Sequence, residues 1–247
     1  MSAYYNEWEA YPAQWLRNLI KAGLIAPGDV DERSIKDVKA DDLKGYTQCH
    51  FFAGIGGWSY ALRLAGWDDD RRVWTGSCPC QPFSAGGLGK GENDERHLWP
   101  DFYCLIAQCK PPIVFGEQVE SKAGRDWFAG VRNNMEALGY ESGGADLCAA
   151  SVGAPHKRQR IFWVADAIGS HVIEWEKVQR QAESTGGSWE QFQKFDSPDK
   201  RARRIEQGTS PLAYGVSFPM GSVRAYGNAI VPQVAAEFIT AFMEVRP

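Results

Sequence analysis

No stretch of this sequence approaches the roughly 20 consecutive apolar residues that a helix needs to cross a bilayer, so an α-helical membrane span is excluded. The first ten residues, MSAYYNEWEA, are acidic and aromatic where a secretory signal would be basic and then apolar. We therefore expect a soluble, unexported, cytoplasmic protein. The six cysteines include no C-x-x-C pair, and thiols stay reduced in such a setting, so neither a disulfide framework nor a zinc site is expected. An excess of positive charge is missing too: 27 Lys and Arg against 31 Asp and Glu leave a net charge of −4. That excludes a protein that coats nucleic acid through charge alone, but not a local basic groove. Charge is unevenly placed, −6 up to residue 150 and +2 beyond it, so a polyanion is expected to dock toward the C-terminal part.

Aromatic residues are abundant, with 10 Trp, 9 Tyr and 12 Phe, and 44% of the 247 residues are hydrophobic, which places the chain outside the disordered class. Short apolar runs alternate with amphipathic stretches, the pattern of an α/β protein. Strands are expected at 48–52, 73–77, 113–115, 140–148 and 161–165. Helices are expected at 12–22, 58–66, 98–109, 125–138 and 232–244, the last beginning at an N1-type proline. Residues 79–96 hold four Gly and little apolar content, which predicts a mobile loop at the sheet edge. Residues 167–217 break the pattern and carry the basic run Lys200-Arg201-Ala202-Arg203-Arg204, a candidate small module or insertion.

Four segments carry chemistry. In Phe52-Ala53-Gly54-Ile55-Gly56-Gly57 the glycines fall at a strand-to-helix turn, where missing Cβ atoms let a ligand approach the backbone, although a tight turn alone would explain them. Cys78-Pro79-Cys80-Gln81-Pro82-Phe83-Ser84 puts a thiol on a proline-flanked bend directly after a strand, which presents a nucleophile. Cys78 reads as structural, and Cys49, Cys104, Cys109 and Cys148 as small buried hydrophobes. Gly116-Glu117-Gln118-Val119 follows a third strand and sets a carboxylate at the same sheet edge as Cys80, an acid beside a nucleophile, with a helix-capping role as the plain alternative. His156 to Phe162 leads into a strand whose alternation would aim Arg158 and Arg160 to one side, unless it is simply a solvated basic turn.

Together these segments resemble the C5-cytosine methyltransferase family. Phe52 to Gly57 is similar to its S-adenosylmethionine motif, PCQPFS (Pro79 to Ser84) to its nucleophile motif, GEQV to its ENV motif with Gln118 in place of asparagine, and Arg158-Gln159-Arg160 to its QxRxR motif. Gly227 to Pro232 resembles the C-terminal GN-x-V-x-P motif, whose asparagine, here Asn228, lines the methionine end of the cofactor pocket. One departure stands out: only Trp58 to Cys78 separates the glycine and nucleophile motifs, room for one helix and one strand where the family has two further strand-helix units. Asn6-Glu7-Trp8 and Gly28-Asp29-Val30 resemble those missing units, which predicts a permuted order with residues 1–45 supplying the adenosine half of the site.

The resemblance implies a Rossmann-like, mostly parallel α/β sheet made of residues 1–166 plus 218–247, with 167–217 as a short target-recognition module. It implies S-adenosylmethionine as cofactor, held by Phe52, Gly54, Ile55, Gly56, Gly57, Glu7, Trp8, Asp29, Val30, Leu98 and Asn228. Double-stranded DNA is the implied partner, bound by Pro79, Gln81, Ser84, Arg201, Arg203 and Arg204, with a monomer and no metal. Cys80 would add to cytosine C6, Glu117 would serve N3, Arg160 would hold O2 and Arg158 would support the site. The base would be flipped from the duplex, and residues 81–96 would close over it. Cytosine in tRNA is the nearest rival substrate, an inactive nucleic-acid-binding relative is a second alternative, and a thiol redox protein using Cys78 and Cys80 a remote third. The host setting stays open between a restriction partner, a solitary enzyme and a mobile-element gene.

Overall fold

The computed structural model describes residues 2–79, 98–154, 156–167, 192–196, 202–206 and 229–246, the two short segments 192–196 and 202–206 by their backbone alone. Strands β1 (Ser2–Asn6), β2 (Gly28–Asp31), β3 (Tyr46–Phe51), β4 (Val73–Gly76), β5 (Ile113–Val119), β6 (Glu141–Leu147) and β7 (Arg160–Asp166) form one seven-stranded sheet in the order β2-β1-β3-β4-β5-β7-β6. The first five run parallel, and β7 lies antiparallel between β5 and β6. The expected mixed, mostly parallel α/β sheet is therefore present. Five helices accompany it among the described residues: α1 (Ala10–Lys21), α2 (Gly57–Leu64), α3 (Trp99–Cys109), α4 (Lys122–Ala137) and α5 (Pro232–Val245).

Period-two alternation decides which face each helix covers. Phe115 and Phe162 point into a core with Trp58 of α2 and Phe238 and Phe242 of α5. Their chain neighbours Val114 and Trp163 point into the opposite core with Phe102 of α3 and Trp127 of α4. At the other end of the sheet Tyr5 packs with Trp15 and Leu16 of α1. Between these cores the buried His50 bonds Thr75 at 2.8 Å and Gln48 at 3.2 Å and stacks on Tyr5. Burial drives its pKa down to about 3, so the imidazole is a neutral packing element.

One expectation changes. The strand expected at 113–115 continues to Val119, because β7 pairs with it residue by residue, Glu117 opposite Phe162 and Val119 opposite Arg160. Glu117 therefore sits inside a strand instead of following one. Within 167–217, the stretch read as a candidate small module or insertion, β8 (Phe192–Asp196) and β9 (Ala202–Glu206) pair antiparallel in a sheet of their own. The loop expected at 79–96 and most of 167–217 lie outside the described residues.

Candidate active site

The parallel registers build the site. Asn6 pairs with Phe51, Phe51 with Gly76, and Gly76 with Gly116. One residue further on, Glu7, Phe52, Ser77 and Glu117 therefore form a row, just past the ends of β1, β3 and β4 and near the end of β5, on the carboxyl side where open α/β sheets bind their ligands.

At one end of the row, the chain leaves β3 through three left-handed residues, Phe52 (φ +52°), Gly54 (φ +54°) and Gly56 (φ +82°), before α2 begins. A Cβ on Gly54 would meet nothing nearer than the Phe52 carbonyl at 4.0 Å, so that face of the turn is open. Gly57 is closed instead: its Cβ would lie 2.8 Å from Ile230, which seats the segment before α5 against the start of α2. Ile55 packs toward the α1 core. Glu7 accepts a hydrogen bond from Gly54 N at 2.8 Å through Oε2 and from Glu9 N at 2.9 Å through Oε1. Burial raises its pKa against the pull of those two amides. Beside it, Trp8 leaves 72% of its surface exposed, an aromatic face next to a buried carboxylate.

Asp29 is not brought to this row. It pairs with Tyr4, and its carboxylate accepts the Tyr46 hydroxyl at 2.8 Å. Asp31, opposite Asn6, is the acid level with the end of β1, and it is engaged by Tyr4 at 2.7 Å and by Arg33. Val30 packs beside the α1 core. Leu98 precedes α3 and, like Phe52, packs against the core around Phe102.

At the other end, Glu117 is 8% exposed and accepts the Arg160 Nε–H at 2.8 Å. Burial pushes its carboxyl pKa up, and Arg160, Arg158 and a hydrogen bond from Ser77 oppose that without cancelling it. Arg160 contacts this carboxylate and the Arg158 cation also acts on it, but strand alternation does not set the two arginines there. Arg158 lies ahead of β7 with φ +39° and reaches the Ala229 carbonyl at 2.5 Å. Burial, followed by the Arg160 cation, lowers its pKa. Gln118 faces the other way, 2% exposed, with its Oε1 on Val119 N at 2.9 Å and its amide nitrogen unpartnered among the described residues.

Cys78 is 6% exposed and its thiol pKa is driven up by burial, as fits a packing residue. The chain is described through Pro79, directly before Cys80. Cys80, Gln81, Ser84, Arg201 and Asn228 lie outside the described residues, and Arg203 and Arg204 fall on β9. No group of three or more His, Cys, Asp or Glu that could hold a metal occurs among the described residues. No helix there is long and apolar enough to cross a membrane. Sequence reading passed over Ser77 and Trp58. The one available signal was a hydroxyl directly after an apolar strand.

This geometry sets an open glycine turn at one end of the row and a buried acid next to the bend that ends β4 at the other. Comparison with known proteins agrees on fold and family. The type II methyltransferase M.AplI of Arthrospira platensis is 38% identical over 95 residues, covering 38% of this chain and 28% of that protein. The type II methyltransferase M.HhaI of Haemophilus parahaemolyticus is 28% identical over 167 residues, covering 52% of this chain and 51% of that protein. The chain thus spans about half or less of the length of these relatives. The solved structure of the Entamoeba histolytica methyltransferase EhMeth shares the fold, with a TM-score of 0.55 at 11% identity over 100% of this chain and 99% of that one. The family model for C-5 cytosine-specific DNA methylase matches residues 67–202, more than half of the sequence and the stretch that holds Cys80, Glu117 and Arg160, so the chain belongs to that family.

Proposed function

We propose that this chain transfers a methyl group from S-adenosylmethionine to C5 of cytosine in double-stranded DNA. The observation that carries the reading is the buried Glu117, held by Arg160 at 2.8 Å in the strand next to the one that leads into Pro79-Cys80. Cytosine C5 is a poor nucleophile, and the ring is activated by covalent addition. The Cys80 thiolate adds to C6, Glu117 gives a proton or hydrogen bond to N3, and Arg160 stabilises the charge that gathers at O2. A carboxyl whose pKa is raised by burial suits the donor role, because burial favours its protonated form. Loss of the C5 proton and elimination of Cys80 restore the aromatic ring. The base must leave the duplex to reach this site.

The residues present fit the cofactor. The open face at Gly54, the buried Glu7 carboxylate for ribose hydroxyls and the exposed Trp8 ring for adenine lie together at the end of β1 and β3. When bound, S-adenosylmethionine supplies a sulfonium methyl, the electrophile that the activated C5 takes. In this reading Asn228 faces the methionine end. Residues 1–45 supply the adenosine half from ahead of the glycine turn, supported by β1 pairing directly with β3. Asp29, tied to Tyr46, is left out of the pocket. Residues 1–166 with 218–247 form the catalytic unit, and 167–217 form the recognition module, with Arg203 and Arg204 for phosphate or guanine.

Transfer of labelled methyl to duplex DNA and to tRNA, with Cys80→Ser and Glu117→Gln controls, tests the reading. We expect label on DNA alone, none with Cys80→Ser, and a loss of roughly 10²- to 10⁴-fold with Glu117→Gln at undiminished cofactor affinity. Label on tRNA alone would move the substrate class, and no label on either would leave the inactive relative.

A further inference from the structure

Ser77 occupies a place in the row that no step above uses. It follows β4 by one residue, beside Glu117, and is half-buried. The Trp58 indole donates to its hydroxyl oxygen at 3.0 Å. An indole N–H can only donate, so the Ser77 hydroxyl proton is left for another acceptor. The Glu117 carboxylate stands next to it, because Gly76 pairs with Gly116 one residue earlier, and a hydrogen bond from Ser77 is among the influences that lower its pKa. A directed relay results, from the Trp58 N–H to the Ser77 O–H to Glu117.

The relay matters because of what else faces Glu117. Arg160 from β7 holds one carboxylate oxygen through Nε, while its Nη1 is spent on the Gln159 carbonyl at 2.7 Å. Arg158, from the turn ahead of β7, contributes a second positive charge. A charge-assisted bond from a guanidinium is strong and draws the carboxylate toward β7. A hydroxyl donor on the β4 side gives the group a second anchor on the opposite flank.

We propose that Ser77, polarised by Trp58, is the positioning residue that fixes the orientation of Glu117 at the base-binding end of the site. The proposal rests on Glu117 acting on the base, and it adds a residue that touches neither base nor cofactor. Its hydroxyl donates to the ionised carboxylate and so favours that form, opposing burial.

Carboxyl-¹³C-glutamate labelling of the full chain tests the relay directly, with the Glu117 resonance assigned by its loss in Glu117→Gln. Ser77→Ala should move the Glu117 titration upward by about one pH unit, the size expected for one hydrogen bond to a charged acceptor. Ser77→Thr, which keeps the hydroxyl, should restore it. Trp58→Phe, which leaves the serine but removes its polariser, should shift it the same way by less, and it serves as the second variant if Ser77→Ala does not fold. In methyl transfer, Ser77→Ala should lower kcat about tenfold, with the alkaline limb moved upward and the cofactor KM unchanged, as for a misaligned group. An unmoved Glu117 titration in Ser77→Ala, or a shift that Ser77→Thr does not reverse, overturns the proposal. If Glu117→Gln methylates as fast as the wild type, the role of Glu117 on the base fails, and the carboxyl titration still decides whether Ser77 holds it.

Discussion

Glu7 and Gly54 are 47 residues apart in the chain, and the carboxylate of one accepts the backbone N–H of the other at 2.8 Å. The contact exists because β1 lies against β3 in parallel register, and Ala53 N donates to the Asn6 carbonyl at 3.0 Å one step earlier. The acid that ends one strand thus braces the glycine turn that ends its neighbour.

Replacing Glu7 with Ala therefore removes a brace from the turn and, in the proposed pocket, the acceptor of two ribose hydroxyls. Binding of S-adenosylhomocysteine, measured by calorimetry, should weaken by roughly 1–3 kcal/mol. Loss of uniform binding should raise the cofactor KM more than it lowers kcat. A folded Glu7→Ala protein with wild-type affinity would place the adenosine elsewhere.

The glycine turn and the alternation of strands and helices were legible because both are local: Gly54 and Gly56 carry the left-handed φ values, and apolar periodicity marks β3, β4 and α2. What escaped depends on partners distant in sequence. Gly116-Glu117-Gln118 has no apolar run, and it is strand because β7 pairs with it. Arg158 was legible as a cation near the acid, but its positive φ and its bond to Ala229 arise only when the segment before α5 returns to the sheet. Asp29 matched a motif by its neighbours, while Tyr46, two strands away, takes its carboxylate. Ser77 is defined by an indole on α2 and a carboxylate on β5, neither of which its own neighbourhood announces.

Gly116 shows how tightly the active row is backed by the core. A Cβ there would lie 2.2 Å from the Trp163 ring, which is 0% exposed. Gly116→Ala should destabilise the fold by at least about 1–3 kcal/mol, the cost of overpacking a filled core. A lowered urea midpoint checks this. A midpoint equal to wild type would mean that Trp163 can move.

Asp31 gives the fold a defined acid response. Burial acts to raise its pKa, but Arg33, the Arg33 backbone N–H and the Tyr4 hydroxyl outweigh that and hold it below the ordinary aspartate value. A depressed carboxyl contributes stability that is complete above the unfolded-state pKa, about 3.9, and is lost as pH falls through the folded-state value. Glu7 and Glu117 shift the opposite way and oppose it over part of the acid range, so the informative quantity is a difference. Asp31→Asn should be less stable than wild type at neutral pH, and the gap between the two should close below about pH 4. Denaturation midpoints across pH would show a constant gap if the ion pair contributes nothing.

The nucleophile assignment has a chemical test that separates two cysteines two positions apart. Duplex DNA whose target cytosine carries fluorine at C5 can accept the thiol at C6 and the methyl at C5, but fluorine cannot leave as a cation in the elimination, so the enzyme stays bonded to the base. With S-adenosylmethionine present, wild type should form an adduct that survives denaturing electrophoresis, and Cys80→Ser should form none. Cys78→Ser should trap as wild type does, because the Cys78 side chain is buried and burial holds its thiol in the protonated, unreactive form. Glu117→Gln should trap slowly, since addition at C6 depends on proton donation at N3. An adduct lost on mutating Cys78 and kept on mutating Cys80 would reverse the assignment, and it would require the bend after β4 to open far enough to expose a thiol now packed with Phe51 and Phe102 in the core.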